Sequence, residues 1–155
     1  MPIVQTVLLG LLAALLIAAI GTDLRARLIP NWLTGSVALL AIGWWLAAEL
    51  APRDMLFQAI LAILAFGVFA IVFAFGAMGG GDVKLIAALA LWLPAPLLLK
   101  MLVLMAIGGG LLTVAMLILH AARHAEGRPE IPYGVAIAGA TLFILANDLL
   151  TKPLA

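Results

Sequence analysis

Along the chain, apolar residues come in long uncharged runs rather than in the alternating or one-sided patterns of water-soluble strands and helices. The clear runs cover residues 3–22, 32–48, 55–75, 97–119 and 131–146. At 1.5 Å per residue, about 20 apolar residues cross the roughly 30 Å of a bilayer's hydrocarbon, so each is long enough for a membrane helix or nearly so. A sixth apolar stretch, residues 85–93, is short; extended back to Asp82 it makes about 18 Å of helix, enough to cross only where the bilayer is thinned or lines a cavity. The pattern therefore predicts an all-α, polytopic membrane protein with about six transmembrane helices, the fourth short.

Breakers punctuate the runs. Pro30-Asn31, Ala51-Pro52-Arg53-Asp54, Gly79-Gly80-Gly81, Pro94-Ala95-Pro96 and Glu126-Gly127-Arg128-Pro129 mark short connections. No soluble domain fits between them, so residues 1–155 are expected to form one membrane-embedded domain. The first run has no basic residue ahead of it and exceeds the usual apolar core of a signal peptide, and is expected to be a retained helix. Nothing at residues 151–155 resembles a lipidation signal.

Composition agrees: of 155 residues, 67% are hydrophobic and 10% charged, with a mean hydropathy of +1.32. A net charge of +1 supplies no basic surplus for nucleic acid. The absence of cysteine removes a disulfide framework, a thiol nucleophile and a thiolate zinc site. With six spans and the N-terminus outside, Arg25, Arg27, Lys84, Arg123 and Arg128 fall on the inner side against Arg53, Lys100 and Lys152 outside, the sense of the positive-inside rule. Asp23 and the glycine stretch before Asp82 then share the cytoplasmic side.

Among the seven acidic residues, Glu49, Asp54, Glu126, Glu130 and Asp148 lie at run ends or in connections where water solvates them. Asp23 and Asp82 instead join apolar helices at the membrane boundary, where a carboxylate is costly unless paired or facing a wet cavity. Each has an ordinary explanation too. Asp82 suits the N-cap of the fourth helix, and Asp23 suits an i,i+4 partner for Arg27. Three glycines before Asp82 leave that approach bare, as an extended peptide beside an acid would require, although a tight turn or close packing would use them equally. Pro30-Asn31 reads as a helix-loop-helix corner with Asn31 as N-cap.

The joint pattern goes further. Asp23-Leu24-Arg25-Ala26-Arg27-Leu28-Ile29-Pro30-Asn31-Trp32-Leu33-Thr34 followed by Gly79-Gly80-Gly81-Asp82-Val83-Lys84-Leu85 resembles the two signature blocks of type IV prepilin peptidases, the second being their Gly-x-Gly-Asp motif. Pro132-Tyr133-Gly134-Val135-Ala136 is similar to the start of that family's last helix. Gly-x-Gly-Asp is shared with presenilin-like proteases; the first block selects prepilin peptidases.

The resemblance implies an aspartic endopeptidase of the bacterial inner membrane, its site facing the cytoplasm. It would cut the short basic leader from prepilin or pseudopilin precursors just before their hydrophobic helix. It implies Asp23 and Asp82 as catalytic pair, with Gly79, Gly81, Lys84, Arg27, Pro30 and Asn31 in support, and neither cofactor nor metal. Larger members carry an N-terminal cytoplasmic domain with paired cysteines, which this sequence lacks; its compactness resembles the short peptidases of Flp/Tad-type pili, so leader removal without N-methylation is expected. With the helix N-terminus beside it, Asp82 is the expected base and Asp23 the expected acid.

Other readings attach to the same residues. A small proton- or cation-coupled transporter subunit would use Asp23 and Asp82 at broken helices, and a secretion scaffold would need neither. Lys84 also reads as a topology lysine, and His120 and His124 have metal-compatible i,i+4 spacing but no third ligand. Trp32, Trp44, Trp45, Trp92 and Tyr133 are expected in an interfacial aromatic belt, and Gly108-Gly109-Gly110 at a close helix contact.

Overall fold

The computed structural model describes residues 3–122 and 131–149. They form α1 (Ile3–Ala26), α2 (Asn31–Ala47), α3 (Pro52–Ala74), α4 (Gly80–Ala90), α5 (Ala95–Ala122) and α6 (Tyr133–Ile144), which runs on into a π-helical turn (Leu145–Leu149). Helices α1, α3 and α5 are long and apolar enough to cross a membrane, α2 and α6 are shorter apolar helices, and α4 is about 16 Å long at 1.5 Å per residue. The all-helical polytopic architecture with a short fourth helix is as expected.

The connections reverse where the sequence supplies the means. Arg27 (φ 53°), Glu49 (φ 51°) and Gly76 (φ 71°) adopt the left-handed conformation just past α1, α2 and α3. Pro52 starts α3 at the first helical position, where its missing N–H costs nothing. Two boundaries differ from expectation in ways that matter. Helix α1 continues four residues beyond residue 22, because nothing in Asp23-Leu24-Arg25-Ala26 breaks a helix, so Asp23 sits within its final turn. Helix α4 starts at Gly80, so two of the three glycines are helical rather than a free turn.

Helix α4 is the buried centre. It packs against α2, α3 and α6 and touches α5, burying Val83, Leu85, Ile86, Leu89 and Ala90. Helix α6 lies between α1 and α5 and also meets α4. By contrast α3 and α5 turn Leu64, Val68, Ile71, Val103, Ile107 and Leu111 outward, an apolar surface suited to lipid. Glu49 and Asp54 are exposed, in keeping with their reading as solvated ends.

The aromatic belt is corrected. Trp44 and Trp92 are buried, with ring centroids 5.8 Å apart. Trp92 donates its indole N–H to the Val37 carbonyl at 2.9 Å and Trp45 donates to the Leu91 carbonyl at 2.7 Å. These indoles fasten α2 to the end of α4, because a polar N–H away from water seeks a carbonyl; Trp32 alone among the tryptophans is largely exposed. Trp92→Phe is expected to cost about 1–2 kcal/mol through the lost hydrogen bond and volume. An unchanged thermal midpoint in detergent would contradict that role. The expected close contact at Gly108-Gly109-Gly110 is real at Gly109, where an added Cβ would lie 3.0 Å from the Tyr133 ring, while Gly110 faces open space.

Candidate active site

Asp23 lies on the face of α1 that carries Leu9, Leu12, Leu16 and Ala19 into the core, and is itself 5% exposed. Its surroundings explain how a carboxylate is tolerated there. Helix α6 begins at Tyr133 after Pro132, and no side chain of its own caps it. The first N–H groups of any helix lack intrahelical acceptors. Asp23 supplies one from another helix: Oδ2 accepts the Val135 N–H at 3.0 Å, and the neighbouring Gly134 N–H adds a favourable interaction with this carboxylate. The positive end of the α6 dipole points at the same group, with the Arg27 charge nearby.

Asp82 is 8% exposed and occupies the third position of α4, not the N-cap. The N-cap is Gly79. The Asp82 Oδ2 reaches back to accept the Gly79 N–H at 3.2 Å, which is the acidic half of a capping box. Asp82 also lies within electrostatic range of Asp23. The topology makes this possible, since α6 contacts both α1 and α4.

Ile29 is the wedge between the two acid-bearing segments. It follows the left-handed turn at Arg27, is 3% exposed, and lies against both Gly81 and Gly134. A Cβ on Gly81 would come within 3.0 Å of the Ile29 Cβ and 3.1 Å of its carbonyl oxygen. A Cβ on Gly134 would meet the Ile29 Cδ1 at 2.7 Å and the Asp23 Oδ2 at 2.8 Å. The bareness of the glycine block thus admits the backbone that follows α1, and the bareness of Gly134 admits the Asp23 carboxylate.

The other residues singled out by sequence lie on the turn after α1 and at the starts of α2 and α4, with Lys84 and Asn31 turned to the side of α4 away from the acids. Pro30 is the N-cap of α2, and its carbonyl accepts the Leu33 and Thr34 N–H groups. Asn31 is therefore the first helical residue and not the cap. Its side chain is free for another task, accepting a 2.8 Å hydrogen bond from the Lys84 ammonium, which ties the two sequence blocks together. Arg27 donates its backbone N–H to the Asp23 carbonyl at 3.0 Å.

Gly134, Val135 and Ile29 were not singled out as site residues. The Pro132-Tyr133-Gly134 stretch was visible, but its contribution is backbone N–H at the start of α6 and a missing Cβ, which no side-chain chemistry advertises. Of the histidine pair, His124 lies outside the described residues. Among the described residues no three potential metal ligands cluster.

Chemically, two carboxylates near each other, each met by a backbone donor at a helix N-terminus, can divide proton transfer, one accepting and one donating. Among known proteins, the chain matches no curated protein and no solved structure significantly. A family model does match, that of the type IV leader peptidase family, over residues 10–114. That is about two thirds of the chain and includes Asp23, the Gly79–Asp82 segment and Lys84, while the start of α6 lies beyond it. The chain is thus a membrane peptidase with prepilin-type substrates in general, and it belongs to the type IV leader peptidase family.

Proposed function

We propose that this protein removes the short basic leader from type IV or Flp-type prepilins, or pseudopilins, at the cytoplasmic face of the bacterial inner membrane, using Asp23 and Asp82 as the catalytic dyad. The observation that carries the reading is the convergence of two buried carboxylates from α1 and α4 around Ile29, each met by backbone donors. An ion-transport role would favour acids at mid-helix; these lie in the last turn of α1 and the first of α4.

In this mechanism a water between the carboxylates attacks the scissile carbonyl carbon. One aspartate takes the water's proton as the other, protonated, hydrogen-bonds the carbonyl oxygen. The tetrahedral intermediate collapses as its C–N bond breaks and the departing amine takes a proton, restoring the pair without a covalent intermediate. N–H donors can serve only acceptor lone pairs; each carboxylate accepts one, Asp23 from Val135 and Asp82 from Gly79, and Asp23 has the Arg27 charge nearby where Asp82 has the Asp23 carboxylate. This supports Asp23 as base and Asp82 as acid, the reverse of the assignment expected from sequence. The helix that bears Asp82 is evident from sequence, whereas the N-terminus of α6 reaches Asp23 from 112 residues away. The product N-terminus is expected to be unmethylated.

The test is prepilin cleavage by the purified protein in liposomes as a function of pH. The dyad predicts a kcat/KM profile that falls on the acid side as the base is protonated and on the alkaline side as the acid is lost. A profile with no acid limb would count against a carboxylate base.

A further inference from the structure

On the side of α4 away from the acids runs a groove of about 610 Å³ between α2 and α3. Both helices pack on α4, which forms its floor. Gly35, Ala38, Ala59, Ala62, Ala87 and Ala88 line much of it, small residues that let a helix backbone approach closely. Its polar lining residues are Asn31, Thr34 and Lys84, of which only Lys84 carries a charge. Lys84 stands at the end nearest the site, its ammonium bonded to the neutral Asn31 side chain, with no carboxylate of the described residues paired to it. Lys84 is exposed, so its charge at the mouth of the groove is open to an occupant that brings an anion.

We propose that this groove docks the apolar helix of the substrate, and that Lys84 receives a carboxylate in that helix's first turn. The proposal rests on the leader-peptidase reading and adds where the uncut part of the precursor lies. Charge complementarity selects the occupant: it must be apolar along the groove and acidic at the Lys84 end, where a carboxylate also suits a helix N-terminus. Geometry sets the register. Lys84 and Asp82 are two residues apart, about 200° around α4, so the chain leaving the groove must cross the tip of α4. Gly79 and Gly80, without side chains, form that tip. The crossing is roughly 10 Å, about three extended residues. The docked helix accordingly starts a few residues after the scissile bond.

Because the chain has no cysteine, disulfide trapping tests this cleanly. Gly35→Cys, where an added Cβ meets nothing within 4 Å, and Ala59→Cys are placed in the groove. Val68→Cys, on the outward face of α3, is the control. Each is combined with Asp82→Asn and co-expressed with a prepilin carrying one cysteine in the second turn of its helix.

The expected result is trapping at Gly35→Cys and Ala59→Cys but not at Val68→Cys. Changing the precursor's first-turn carboxylate to an amide should lower the yield about fivefold, and pairing Lys84→Glu with a first-turn lysine should restore it. Equal trapping at Val68→Cys, or none in the groove while the cysteine-free enzyme cuts the same precursor, would overturn the docking and leave the peptidase reading intact. Groove trapping with a wild-type protein that never cuts would do the opposite, supporting the dock and removing the activity.

Discussion

Asp23→Asn and Asp82→Asn are each expected to lower prepilin cleavage by roughly a thousandfold or more, with normal amounts of protein in the membrane. Asparagine keeps the size and one oxygen of the carboxylate. At position 23 that oxygen can still accept the Val135 N–H, so α6 keeps its cap and the helices stay packed. What is lost is the ability to take or give a proton, and general acid–base catalysis is worth about 10²–10⁴-fold for each group. Because the two act on one water, losses do not add: the Asp23→Asn/Asp82→Asn double variant should be little worse than either alone. Asp23→Ala is a poorer probe. It leaves the Val135 N–H with only its 3.2 Å bond to the Pro132 carbonyl, at a cost of about 1 kcal/mol or more, and mixes instability with lost chemistry. Single variants that retain more than a tenth of wild-type cleavage would remove the acids from the mechanism.

Gly134→Ala is expected to reduce kcat by about a hundredfold with both aspartates left in place, since displacement of a reacting group by about 1 Å has that scale of effect. The new methyl would sit 2.8 Å from the Asp23 Oδ2 and 2.7 Å from the Ile29 Cδ1, closer than atoms pack, so the carboxylate or the wedge must move. Ile29→Val deletes that Cδ1 and should recover part of the loss. Gly139→Ala on the same helix adds its methyl in open space and serves as the control, because alanine is otherwise the better helix former. Near-normal kcat in Gly134→Ala would mean that the Asp23 position is not set by α6. A change confined to KM would place Gly134 in substrate binding instead.

Much of this architecture was legible because lipid imposes a coarse rule: helices must be long and apolar, and charges must have reasons. That rule located the six helices and singled out Asp23 and Asp82 among the acids. It failed where the decisive contacts are tertiary and run through backbone. Pro30 satisfied the cap geometry that Asn31 was expected to supply, and Asn31 turned to Lys84. Asp82 passed the N-cap to Gly79 and bonded it from the third position. The indoles of Trp45 and Trp92 found carbonyls inside the bundle rather than headgroups at its edge. The capping of α6 by Asp23 joins residues 112 positions apart, beyond the reach of any local pattern. A glycine's value to a neighbour likewise becomes visible only when that neighbour is in place, as at Gly81 beside Ile29 and Gly134 beside Asp23.

The most direct measurement is the mass of a prepilin co-expressed with the wild-type protein and, in parallel, with Asp23→Asn and Asp82→Asn. The account predicts a product shorter by the leader and without an added methyl group from the wild type, and intact precursor from both variants at equal membrane levels. Intact precursor from the wild type, for a substrate that another prepilin peptidase cuts in the same assay, would contradict the proposed activity. Trimmed product from either variant would contradict the dyad.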